Sequence, residues 1–229
     1  MKTTVSFCAL LLACAFVQTG HAQYLQAGDP DGATLLAPPP MPASPEEAAD
    51  LAEVRSVSRS VSKDETVAAM ADNKFSIFSF TGAIGDFFQP GRFPRTEAFF
   101  QRVTKSAEVE VDTAKGYWKR PRPYTVDPTL AAGKLEKSFS YPSGHSTESM
   151  VLGLVLADLF PAQRDAILAR ARLVGWHRVE VGRHYPTDIY AGRVFAQAIV
   201  RELKKSSDFR LDFAAAKAEL ETARQAARN

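Results

Sequence analysis

From Glu46 onward the apolar residues of this chain return at helical spacing, and no stretch alternates convincingly with the period of two that a half-buried strand requires. Such a chain has no sheet to build, so the expected fold is all-α: one helical domain over residues 46–229. Helices are predicted over 46–57, 63–78, 93–113, 146–159, 162–181 and 188–205. A last one over 213–228, rich in Ala, Glu and Arg, is expected to be exposed. The run Phe75-Ser76-Ile77-Phe78-Ser79-Phe80 does alternate, but Gly82 and Gly85 follow it and no partner strand exists, so a helix end and a loop are expected there. Its phenylalanines, with Phe87, Phe88 and Phe93, read as core, the alternative being an apolar mouth for a leaving group. With 229 residues, 45% of them hydrophobic, the chain is long enough for one substantial core.

The N-terminal end reads differently. Met1-Lys2, the apolar run from Val5 to Val17 and the small-residue site Gly20-His21-Ala22 have the layout of a signal peptide over residues 1–22, cleaved after Ala22. Its apolar run is shorter than the roughly 20 residues of a spanning helix, and no later segment approaches that length. The mature chain is therefore expected to carry no embedded membrane segment and to be exported, to a periplasm or the medium. Both cysteines, Cys8 and Cys14, fall inside the leader, so no disulfide is expected. Leu11-Leu12-Ala13-Cys14 offers a competing lipoprotein site with an anchor at Cys14, which the leucine before Ala13 fits poorly. Residues 23–45, with Pro38-Pro39-Pro40, carry no period and read as a Pro/Gly/Ala-rich linker or extended arm.

Polar chemistry gathers in three short segments: Lys115-(x6)-Arg122-Pro123, Pro142-Ser143-Gly144-His145 and Arg178-(x5)-His184-(x3)-Asp188. A phosphate dianion needs several donors fixed on its non-bridging oxygens before transfer begins. Arg122 and Arg178 each supply a planar fork, and Lys115 a point charge. The Pro142-Ser143-Gly144 turn opens an apolar helical run, so Ser143 and Gly144 are expected to donate to an anion from a helix N-terminus. His184 and Asp188 stand one helical turn apart. The carboxylate can take the Nδ1 proton and leave Nε2 as a nucleophile. His145, on the other loop, is then available to protonate the leaving oxygen and later to activate water.

Residue types and spacing together resemble the three-part signature of the type-2 phosphatidic-acid phosphatase superfamily, and within it the soluble bacterial class A non-specific acid phosphatases. The signature covers about a third of the chain and is specific only as a triple. The resemblance implies a helical bundle of the acid phosphatase and vanadium haloperoxidase type. It implies a phosphohistidine on His184, His145 as general acid, Asp188 orienting the nucleophile, and phosphate held by Lys115, Arg122, Ser143, Gly144 and Arg178. Two places depart from the pattern. His177 stands where the family has serine before its arginine, and Phe139 and Ser146 stand where class A has Gly and Thr.

The expected function is thus an exported phosphatase for small phosphate monoesters. No metal or other cofactor is expected, and vanadate should inhibit. Three alternatives remain: a vanadium-dependent haloperoxidase on the same residues, a lipid phosphate or diphosphate phosphatase acting at a membrane surface, and a non-catalytic anion-binding protein. A formal net charge of +2 gives no field for nucleic acid, and no His-Glu-x-x-His motif offers a zinc site. A homo-oligomer is compatible with all of this. Lys119 and Arg120 read as a solvated basic turn, His177 as structural, and Tyr141 and Tyr185 as packing around the loops.

Overall fold

The structure is a computed structural model that describes residues 23–131 and 133–226. The expected leader and the Cys14 alternative lie outside the described residues. The long helices are α1 (Pro45–Ser60), α2 (Lys63–Ala71), α3 (Pro94–Trp118), α4 (Gly144–Leu159), α5 (Arg164–Glu180), α6 (Pro186–Leu203) and α7 (Ser207–Ala226). No strand occurs among the described residues. Helix starts follow their capping residues. Ser44 accepts from the amide of Glu47 ahead of Pro45, and Ser62 and Glu65 form a reciprocal capping box on α2.

α4 is the centre of the bundle. It is apolar almost all round, with Val151, Val155 and Leu156 fully buried, because α5 and α6 pack along it and α3 closes a further side. Truncating a core leucine such as Leu156 to Ala costs about 2–5 kcal/mol. Two glycines let the helices approach the α4 N-terminus. A Cβ on Gly175 of α5 would lie 2.9 Å from Ser146 Oγ, and one on Gly192 of α6 would lie 2.9 Å from the Ser143 carbonyl oxygen. Backbone contact at this depth fixes the Ser143-Gly144-His145 turn from two directions.

Three expectations change. Helix α2 stops at Ala71, and the chain runs through a 3₁₀ turn at Asp72–Lys74, a second at Ile77–Phe80 and a short helix at Thr81–Ile84. The stop has a tertiary cause: Asp72 is held by Arg170 and His177 of α5. The C-terminal helix begins at Ser207 rather than 213 and is not an exposed appendage. Phe209, Ala216 and Leu220 are buried, and its body packs on α3. Residues 23–45, read as a linker or an extended arm, form an arm that is packed rather than free. Tyr24, Leu25 and Leu36 join the core, the Tyr24 hydroxyl donates to Asp212 at 2.6 Å, and Gly32 lies so close to Ala114 and Phe195 that a Cβ would clash.

The aromatic run packs inward. Phe80, Phe88 and Phe93 are buried, with Phe88 stacked on Phe93 at 5.6 Å and edge-on to Phe160 at 5.8 Å. Phe88 and Phe93 therefore form core rather than a mouth. No helix among the described residues is long and apolar enough to cross a membrane.

Candidate active site

The three segments meet at one end of the bundle. Lys115 comes from the last turn of α3. Lys119 then takes a left-handed conformation (φ 49°), which turns the chain so that Arg120 and Arg122 point back inside. Gly144 and His145 open α4. Arg178 lies near the end of α5, and its carbonyl accepts from the amides of Arg183 (2.8 Å) and His184 (3.2 Å), folding the 181–184 loop over the helix end. His184 and Asp188 flank the start of α6.

Asp188 is the organising carboxylate. Completely buried, it would cost several kcal/mol if left unpaired. Its Oδ1 accepts from Arg120 Nη1 at 2.7 Å, while Oδ2 accepts from Ser140 Oγ at 2.5 Å, from the Tyr185 amide at 3.0 Å and from His184 Nδ1 at 3.1 Å. The His184 proton therefore sits on Nδ1. Nε2 keeps its lone pair, 3.1 Å from Arg122 Nη1, which donates to it. Burial, and then the charges of Arg122 and Lys115, hold the imidazole well below its ordinary pKa and so favour its neutral form.

Arg120 is where the structure most departs from expectation. It is buried, not solvated: Nη1 also donates to Thr187 Oγ1 and Nη2 to Asp50 Oδ2, each at 2.7 Å, and the guanidinium lies 3.8 Å over the Tyr185 ring. Its partner Asp50 is on α1, 70 residues away in sequence, so nothing local signals the pairing. Lys119 is exposed, as expected.

Arg122, Arg178 and Lys115 form a cationic cradle around His184. Burial and the neighbouring Arg122 push Lys115 down to about 8, and burial pushes Arg178 down to about 10. An acidic side chain occupies this cradle. Glu136, from the loop between the first two segments, places Oε1 2.5 Å from Arg178 Nη2 and Oε2 3.7 Å from Arg122 Nη1 and 3.5 Å from Arg183 Nη1. Although burial alone would raise it, its carboxyl is held below the usual value by Arg122, Arg178 and Arg183. The carboxylate marks where these guanidinium groups grip an anion.

At the α4 N-terminus one expectation is revised. The Ser143 amide donates to the Asp188 carbonyl at 3.1 Å, so it is committed to holding the two loops together, and its Oγ caps the Ser146 amide. What this residue can still offer an anion is its hydroxyl hydrogen, beside the first-turn amides of Gly144 and His145. The Lys115 ammonium lies 3.9 Å from the Cβ position of Gly144, which brings the first and second segments into contact.

His145 Nε2 is buried and has no partner among the described residues. The ring hydrogen-bonds the Asn73 backbone, and burial, then Arg178, push its pKa down to about 4. His177, in place of the family's serine, is structural: its Nδ1 lies 2.7 Å from Asp72 Oδ2. That contact fastens the Asp72–Asn73 turn, in which Asn73 accepts from Arg178 through its side chain and holds His145 through its backbone. Neither Asp72 nor Asn73 stands out in the sequence. The Tyr141 hydroxyl is committed to the Ala37 carbonyl at 2.5 Å, while the Tyr185 ring stacks on Arg120 and its hydroxyl is buried without a hydrogen-bond partner among the described residues. Among the described residues no group of three or more His, Cys, Asp or Glu side chains is placed to hold a metal ion.

The arrangement presents a neutral imidazole lone pair, a cluster of fixed cations and a second imidazole whose Nε2 is unengaged, the parts required for in-line transfer of a phosphoryl group. Comparison with known proteins agrees. Residues 103–210 match the PAP2 superfamily. The chain is 31% identical over 206 residues to an acid phosphatase of Zymomonas mobilis, covering 86% of this chain and 78% of that one. Against a non-specific acid phosphatase of Providencia stuartii the identity is 31% over 122 residues, with 51% of this chain and 49% of the relative covered. In fold it is similar to a bacterial vanadium-dependent iodoperoxidase, with a TM-score of 0.59 at 18% identity over 75% of this chain and 52% of that one. With most of its length matched by a relative and its three polar segments falling inside the matched region, this chain belongs to the PAP2 superfamily.

Proposed function

We propose that this protein is an exported, metal-independent phosphatase that hydrolyses small phosphate monoesters through a phosphohistidine on His184. The observation that carries the reading is the orientation of His184, with Nδ1–H on Asp188 and the Nε2 lone pair facing the cationic cradle. A ligand-holding role has no need of a neutral imidazole aimed in this way.

Substrate phosphate displaces the Glu136 carboxylate and is held by Arg122, Arg178 and Lys115, the Ser143 hydroxyl and the Gly144 amide. Nε2 of His184 attacks phosphorus as the P–O bond to the leaving group breaks, and His145 gives its proton to the departing oxygen. Imidazolium charge developing on His184 is stabilised by the Asp188 carboxylate, which Arg120, Ser140 and the Tyr185 amide hold in place. Water then attacks the phosphohistidine, with His145 accepting its proton, and phosphate leaves. The cations supply the charge neutralisation that a divalent metal provides in other phosphatases.

The test is hydrolysis of an aryl phosphate by the mature protein with and without chelator. Activity should survive chelation and be inhibited by vanadate, an oxyanion of the same shape as the transferred group. Loss of activity that zinc or magnesium restores would overturn the reading. Halide oxidation by peroxide in the presence of vanadate, without phosphatase activity, would support the haloperoxidase alternative.

A further inference from the structure

Beside the phosphate cradle lies a cavity of about 450 Å³. One wall is aromatic, formed by Phe75, Phe78 and Phe100; the other carries the carboxylates of Glu97, Glu108 and Glu148. The cavity meets the site at two points. The Phe75 ring lies 5.6 Å from the His145 ring, and Glu148 Oε1 lies 3.4 Å from the Cβ position of Gly144, the point that Lys115 Nζ approaches to 3.9 Å. A leaving group that receives its proton from His145 departs on this side.

The charge of the cavity is unbalanced. Lys105, the basic residue in its lining, is paired with Glu108 at 3.1 Å, and Glu97 accepts from the Gly91 amide at 2.8 Å. Glu148 has neither a hydrogen bond nor an ion pair among the described residues. Burial and the nearby Glu108 push its carboxyl up to about 7 against the opposing charge of Lys115, a cation that belongs to the phosphate cradle. Aromatic faces next to three carboxylates that share one lysine of the lining attract an ammonium group and disfavour a second anion.

Building on the phosphatase reading, we propose that this cavity holds the alcohol half of the substrate and, through Glu148, selects phosphate monoesters whose leaving group carries a positive charge on an apolar or aromatic body. Amino-alcohol and aminoalkyl-aryl phosphates fit this description; leaving groups that carry further phosphates or carboxylates do not.

The test compares kcat/KM for 4-(aminomethyl)phenyl, 4-methylphenyl and 4-carboxyphenyl phosphates in wild type, Glu148→Gln and Glu108→Gln. The readout is the ratio of cationic to anionic ester in each variant relative to wild type, so intrinsic differences between the leaving groups cancel. Assayed above pH 7, where Glu148 is ionised and an aryl leaving group needs little protonation, wild type should favour the cationic ester by about tenfold, the effect of one partly screened charge pair, and Glu148→Gln should shrink that ratio severalfold. Should Glu148→Gln fail to fold, Glu108→Gln, whose side chain is 43% exposed, should move the ratio in the same direction. Hydrolysis of all three esters with a ratio that neither variant changes, or a wild-type preference for the carboxylate, overturns the proposal alone. Hydrolysis of none of them overturns the phosphatase reading and the proposal with it.

Discussion

Replacing Arg120 with methionine removes the guanidinium that joins α1 to the Asp188 centre. Arg120, Asp50 and Asp188 have side chains only 2%, 4% and 0% exposed, so the substitution strands two buried carboxylates. Breaking a buried pair in this way costs about 3–5 kcal/mol, against at most about 1 for an exposed pair. For a chain of this size the cost corresponds to a fall in Tm of about 6–20 °C. Catalysis should suffer separately, because Asp188 loses its contact on Oδ1 while Ser140 and Tyr185 still hold Oδ2. A small rotation of the carboxylate carries His184 with it, and kcat should drop about a hundredfold, the usual consequence of misplacing a reacting group by about 1 Å. Adding Asp50→Asn in the same background neutralises one stranded charge and should recover part of the lost Tm but little of the lost kcat. Thermal melts and steady-state kinetics on the three proteins check this. A single variant melting within about 2 °C of wild type, with unchanged kcat, would refute the argument and return Arg120 to the solvated turn that its local sequence implies.

Two further predictions concern the cradle and its proton donor. Glu136→Gln removes the internal anion that Arg122, Arg178 and Arg183 hold; because Glu136 is 32% exposed the effect is screened, and the Ki of inorganic phosphate should fall about fivefold. A higher Ki would show that the carboxylate supports the cradle instead of competing for it. His145 is pushed down to about 4 in the free site, so with an alkyl phosphate, whose leaving oxygen needs a proton, kcat/KM should decline as pH rises above about 4. The corresponding limb of kcat should lie at higher pH, since a bound dianion offsets the Arg178 and Lys115 charges that depress His145; superimposed limbs, or a kcat/KM flat up to neutrality, would contradict the assignment.

What was legible in the sequence was what local pattern encodes. Apolar spacing located the long helices, and the His184-(x3)-Asp188 spacing implied the hydrogen bond observed at 3.1 Å, because both residues lie within one turn of the same helix start. What was not legible depends on contacts distant in sequence. Arg120 looks like any basic residue in a Lys-Arg-Pro turn until Asp50 closes on it from α1. Glu136 sits in an unpatterned loop, and its meaning appears only when α5 delivers Arg178. The exposed reading of the last helix missed Phe209, which lies ahead of the predicted start and packs edge-on to Tyr24 at 5.5 Å, a contact with the N-terminal arm. His177 in place of serine looked like a defect in the family pattern. With Asp72 beside it, the substitution becomes a strut for the turn that holds Arg178 and His145.

The central claim, a covalent phosphohistidine on His184, is tested most directly by rapid-quench trapping of phosphoenzyme with an aryl phosphate in wild type, His184→Ala and His145→Ala. Wild type should show an acid-labile, base-stable phosphoenzyme within the first turnover. His145→Ala should form it too, because an aryl leaving group needs little protonation, and should release it slowly for want of a base to activate water. His184→Ala should form none. Phosphoenzyme in His184→Ala, or none in either wild type or His145→Ala under burst conditions, would contradict the mechanism.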